Sequence, residues 1–142
     1  MPAVSAILIA ASALLIFFLG SMHLLLTFRG PAFHPRDPAL MAQMQADSPR
    51  IARGATSMWR AGIGFHASHS LGAMLFGLVW TYLALAGEGV LFRSAFLLGL
   101  GMLTLAAYLM LAKIYWFKVP LRGIGLASSL YAAGLLELVL GR

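Results

Sequence analysis

No cysteine occurs among the 142 residues of this chain. That absence excludes disulfides, thiolate metal sites and a cysteine nucleophile, and leaves histidine, carboxylate, lysine, tyrosine and methionine as candidate ligands. Acids are scarce too, with four Asp and Glu against ten Lys and Arg. No nucleophile, base and orienting acid fall together near one face, so hydrolytic activity is not expected. Charged residues make up 10% of the chain, where soluble proteins carry about a quarter. The net charge of +6 sits in short linkers between apolar runs rather than on a solvated basic face, which argues against nucleic acid as a partner.

What remains is apolar: 61% of residues are hydrophobic, the composition of a membrane protein in contact with the lipid bilayer. Four runs, at about 4–28, 59–86, 94–117 and 123–140, are long enough to cross a hydrocarbon core of about 30 Å at about 1.5 Å per residue. The first is not expected to be a cleavable signal, because its charge, Arg29, follows the apolar stretch instead of preceding it. All six prolines are read as lying outside the spans, which predicts uninterrupted helices without the broken segments of many transporters. No internal repeat is visible, since the histidines of the first half have no counterparts in the second.

The one sizeable polar segment runs from Arg29 to Arg60 and is divided by Pro31, Pro35, Pro38 and Pro49. Asp37 before Pro38 has the pattern of a helix cap followed by proline at the first helical position, predicting a short surface helix over 38–46 with Leu40, Met41 and Met44 on one face. Ser48 and Pro49 repeat that pattern and lead into a basic turn with Arg50 and Arg53. The expected fold is therefore all-α: a single integral membrane four-helix bundle over 1–142 with a short interfacial helix in its first loop.

Orientation follows from the basic residues. Arg29, Arg36, Arg50, Arg53, Arg60, Lys113, Lys118 and Arg122 flank one side, whereas Arg93 and Arg142 flank the other. Positive charge is retained in the cytoplasm, so both termini are expected on the non-cytoplasmic side. Two stripes of small residues, Gly64, Ser68 and Gly72 on the second span and Gly125, Ser129 and Ala133 on the fourth, are expected to face neighbouring helices.

Ionisable side chains at membrane depth are costly and mark candidate functional positions. His23 lies five residues inside the end of the first span. His66 lies at a similar depth in the second span, and His69 follows one turn deeper on the same face. Lys113 on the third span is read at the same level, and these four are the candidate cofactor-binding residues. Gly20, Gly62 and Gly72, each about a turn from a histidine, would leave room for a flat or bulky group. Four readings stay open. The imidazoles could be satisfied by Ser21, Thr27, Ser68, Ser70 and backbone carbonyls, holding helices together. They could bind a b-type haem, through His23 with His66 or His69 and with Arg29, Arg60 or Lys113 near the propionates. They could hold a metal or a quinone-like ligand, although no acid lies at this level to complete a zinc site. Or they could form a proton relay. His34, in the proline-rich loop, is read as a solvated loop residue.

The stretches GSMHLLLTF (Gly20 to Phe28), HPRDPALMAQM (His34 to Met44) and TSMWRAGIGFHASHSLGAMLFGLVW (Thr56 to Trp80) resemble a group of small, uncharacterised bacterial four-helix membrane proteins of similar length. The likeness covers the first two spans and their loop and is weaker beyond. It implies a multi-pass protein of a prokaryotic cytoplasmic membrane, draws attention to His23 and His69 more than to His66, and implies no activity. Taken together, these features suggest an accessory or ligand-binding subunit of a membrane complex.

Overall fold

The computed structural model describes residues 3–141, and no strand occurs among them. In chain order the helices are α1 (Ala3–Phe28), α2 (Pro38–Ala46), α3 (Met58–Leu85), α4 (Val90–Arg93), α5 (Ala95–Tyr115) and α6 (Lys118–Leu140), with a single 3₁₀ turn at Arg50–Ala52. Four of them, α1, α3, α5 and α6, are long and apolar enough to cross a membrane.

The start of α6 departs from expectation. It begins at Lys118 rather than near Gly123, so Pro120 lies inside its first turn and one of the six prolines is within a span after all. The reason is that the first N–H groups of any helix have no intrahelical acceptor, and proline's missing donor costs nothing there. The turn between α3 and α5 also contains α4, whose N-cap Gly89 has φ 80°. Ser94 ends that short helix and starts the next, its Oγ accepting a hydrogen bond of 3.2 Å from the Leu97 N–H. Arg93 is exposed at the end of α4, while Arg142 lies outside the described residues.

Helix α2 occupies the residues expected for it. Asp37 Oδ1 accepts from the Ala39 N–H at 2.9 Å, and Pro38 takes the first helical position. No residue of α2 is buried. A helix of nine residues with no core contact depends on its cap. Asp37→Ala is expected to loosen α2 by about 1 kcal/mol. The readout is amide hydrogen exchange, about fivefold faster over 39–46 and unchanged in the long helices; equal exchange would show that the cap does not hold this helix.

Contacts gather in two compact units, Met1–Leu19 with Ala73–Arg142, and Gly20–Gly72. The first has a core of Ile9, Ala13, Ile16, Phe76, Trp80, Leu105 and Tyr131. Its helices approach closely at glycines. A Cβ at Gly77 would stand 2.7 Å from the Ala13 carbonyl oxygen and 2.8 Å from the Phe17 nitrogen, and one at Gly101 would overlap Trp80 and Tyr131. Fully buried Tyr131 connects three helices, since its hydroxyl accepts from Trp80 Nε1–H at 3.2 Å and donates to the Leu98 carbonyl at 3.0 Å. Ser12 Oγ donates to the Ala127 carbonyl at 2.7 Å, joining α1 to α6.

These contacts are not the ones that the small-residue spacing indicated. Gly64, Ser68 and Gly72 are exposed, as are Ser129 and Ala133, while a Cβ added at Gly125 would meet only Leu109, at 4.0 Å. Small residues permit close approach without enforcing it, and in this unit the approach occurs at Gly77, Gly101 and Gly134.

Candidate functional site

The second unit, Gly20–Gly72, holds the end of α1, the polar loop with α2, and the start of α3. Its loop turns sharply after α1. Gly30 adopts φ 80°, and the His34 N–H donates to the Pro31 carbonyl at 3.0 Å, so residues 31–34 form a turn that carries Phe33. His34 then sets its ring edge against Trp59 at 5.0 Å between centroids, pinning the loop to the first turn of α3. His34 is thus exposed but has a definite structural contact.

Within this frame the structure brings His23, His66 and His69 together. His23 Nε2 lies 3.2 Å from His66 Nδ1, in hydrogen-bonding range. The centroid of the His69 ring lies 5.5 Å from that of His23 and the two rings are nearly perpendicular. Phe33 covers the pair, stacked on His66 at 4.6 Å and 24°, and tilted against His23 at 4.7 Å. Lys113 belongs to the other compact unit, exposed in the last turn of α5.

Three hydroxyls near the cluster bond to backbone carbonyls and not to the imidazoles. Thr27 Oγ1 donates to the His23 carbonyl at 2.8 Å, Ser70 Oγ to the His66 carbonyl at 2.9 Å, and Ser68 Oγ to the Phe65 carbonyl at 3.0 Å. All three satisfy the carbonyl three or four residues back in their own helix, the usual local choice for Ser and Thr. The hydroxyls of Thr27, Ser68 and Ser70 therefore do not hold the histidine rings, and His23 and His66 contact each other. At such a contact one nitrogen carries the proton and the other the lone pair, so the two facing nitrogens cannot both be protonated.

The geometry also bears on what could be ligated. Two imidazoles on opposite faces of a haem iron hold their nitrogens roughly 4 Å apart, twice a metal–nitrogen bond of about 2.0 Å. The 3.2 Å between His23 and His66 is too short for that arrangement and leaves no room for a macrocycle between the rings. Among the described residues no group of three or more histidines and carboxylates is disposed to hold a metal ion.

Sequence reasoning missed Phe33. Its signal was present in Pro31 and Pro35, which bracket it and restrict the loop, but nothing in a loop sequence says onto which side chain an aromatic ring will fold. Comparisons of the chain with protein families, with curated proteins and with solved structures gave no match.

Proposed function

We propose that this chain is a four-span integral membrane protein of a prokaryotic cytoplasmic membrane, a bundle with both termini on the non-cytoplasmic side, and that it serves as an accessory, ligand-binding subunit of a membrane complex. The likeness to small bacterial four-helix membrane proteins and the distribution of arginine and lysine support that placement. The binding function rests on one observation: two imidazoles from different long helices meet at 3.2 Å under an aromatic ring, while the Thr27 and Ser70 hydroxyls bond to backbone carbonyls. A pair of this kind offers one hydrogen-bond donor and one acceptor beside a flat apolar surface, which suits a planar, lipid-soluble ligand with a polar edge, such as a quinone head group. The accessory role is tested by native purification, where co-migration with a larger complex supports it and a stable solitary particle counts against it.

Titration of the purified protein with a short-chain ubiquinone analogue tests the binding, with quenching of tryptophan fluorescence as the readout. Saturable quenching is expected, and His66→Ala should weaken it at least about tenfold, or about 1.4 kcal/mol. Quenching that never saturates, or that is indifferent to His66, would remove the quinone reading. A b-type haem is the second reading, with His23 and His69 as the residues that would hold it; their rings, 5.5 Å apart between centroids, would have to separate to admit it. An absorption spectrum of the oxidised and reduced protein decides it: a Soret band lost on His69→Ala supports haem, and its absence excludes it.

A further inference from the structure

The segment between α2 and α3 is braced into a small closed loop. The Met58 N–H, at the head of α3, donates to the Asp47 carbonyl at 2.9 Å, which ties the two ends of the loop together. Inside it, the Ala52 N–H bonds to the Pro49 carbonyl at 2.9 Å, the Ala55 N–H to the Ala52 carbonyl at 2.9 Å, and the Gly54 N–H to Ser48 Oγ at 3.1 Å. These bonds hold Arg53 at φ 48° and Gly54 at φ 89°, a left-handed pair that reverses the chain. Within it Ile51 is 93% exposed, more than any other large apolar residue described. Exposed Arg50 and Arg53 stand on either side of it in sequence.

An isoleucine held in water by a braced turn forgoes the free energy of burial, so the turn makes physical sense against a surface that takes in apolar side chains. The charges define that surface. Five arginines and two aspartates lie between Arg29 and Arg60, and both carboxylates are engaged by backbone amides: Asp37 by Ala39 N–H at 2.9 Å and Asp47 by Ser48 N–H at 2.8 Å. A hydrogen-bonded carboxylate keeps its charge, so the segment is positive by count, five arginines against two aspartates, a net of +3. Because the loop is closed at the first residue of a long apolar helix, Ile51 can stand no more than about 25 Å from Met58, seven extended residues away, and the hydrogen bonds fold it closer than that. A surface that is apolar within, anionic at its edge and adjacent to the end of a membrane-spanning helix is an anionic phospholipid leaflet.

We infer that the Arg50–Arg53 turn is a lipid anchor: Ile51 enters the interface of the leaflet while Arg50 and Arg53 engage anionic headgroup phosphates. This rests on the membrane-spanning reading above, and the experiment separates the two. Because the chain has no cysteine, Ile51→Cys gives a single attachment point for a polarity-sensitive fluorophore. The labelled protein is reconstituted into vesicles of phosphatidylcholine alone or with added phosphatidylglycerol. With phosphatidylglycerol the emission is expected to shift to the blue and to be quenched by lipid-borne nitroxide, and a label at Gln45→Cys, exposed on α2, is expected to stay water-like. Arg50→Gln and Arg53→Gln should each reduce insertion about fivefold, the worth of one basic charge near an anionic surface. A probe that stays water-like in both vesicles overturns the anchor. A blue shift that ignores lipid charge overturns the headgroup contact, and one that appears only on adding detergent-solubilised membrane proteins assigns the turn to a protein partner instead. Release of the protein from vesicles by alkaline carbonate overturns the spanning reading and the anchor with it.

Discussion

Gly101→Leu is expected to destabilise the protein by at least about 3 kcal/mol, a large share of the roughly 5–15 kcal/mol that holds a typical domain folded. A Cβ at that position would overlap the Trp80 indole nitrogen and the Tyr131 hydroxyl, both fixed by the hydrogen bond between them. Neither ring can retreat cheaply, because Trp80 stacks on Phe76 at 4.6 Å and Tyr131 is wholly buried. Gly99→Leu, two residues away on the same helix, supplies the contrast, since a Cβ there meets nothing within 4 Å. That substitution removes a glycine from a helix and should be neutral, or stabilising by up to about 1 kcal/mol. Unfolding in mixed detergent micelles measures both. Equal stabilities would mean that α5 does not approach Trp80 and Tyr131 as described.

Tyr131→Ala should cost about 3–5 kcal/mol, the range for deleting a buried aromatic ring. Tyr131→Phe isolates the hydroxyl. It keeps the ring and leaves the Trp80 N–H without its acceptor, a loss of about 1–3 kcal/mol in a water-soluble core. Between helices in lipid such bonds average nearer 0.6 kcal/mol, so a small phenylalanine effect beside a large alanine effect is the expected pattern. Packing, more than the hydrogen bond, is then what Tyr131 contributes. The Trp80→Phe background checks the assignment: there the tyrosine hydroxyl has lost its donor, and Tyr131→Phe should cost less than in the parent protein. Were the cost the same in both, the Trp80 contact would not be the source of the effect.

Such packing contacts were the least legible part of the sequence. Length and hydropathy determine that a helix forms, and the four long helices and α2 lie close to the residues read for them. The lateral contacts are different, because every face of an apolar helix is apolar and glycines at four-residue spacing look alike on all of them. Gly64, Ser68 and Gly72 make the more regular pattern, yet Gly77 and Gly101 make the close contacts. At the histidine cluster, counting residues inward from the helix ends put His23 and His66 at one depth, and the structure places their rings in contact. It could not show that Thr27, Ser68 and Ser70 would turn to their own carbonyls, since a hydroxyl in a helix always has that nearby alternative. Pro120 escaped for a comparable reason: proline stops a helix interior and starts a helix equally well.

The spans of sequence that the two sets of contacts enclose bear on how the protein is made. His23 meets His66 across 43 residues, and everything between them belongs to the same compact unit. Ser12 meets Ala127 across 115 residues, so the first helix cannot complete its own contacts until the last one has been synthesised. A ribosome releasing the chain from its N-terminal end thus delivers all three imidazoles and Phe33 well before Tyr131 exists. The contacts between His23 and His66 can therefore form before the contact of Ser12 with Ala127.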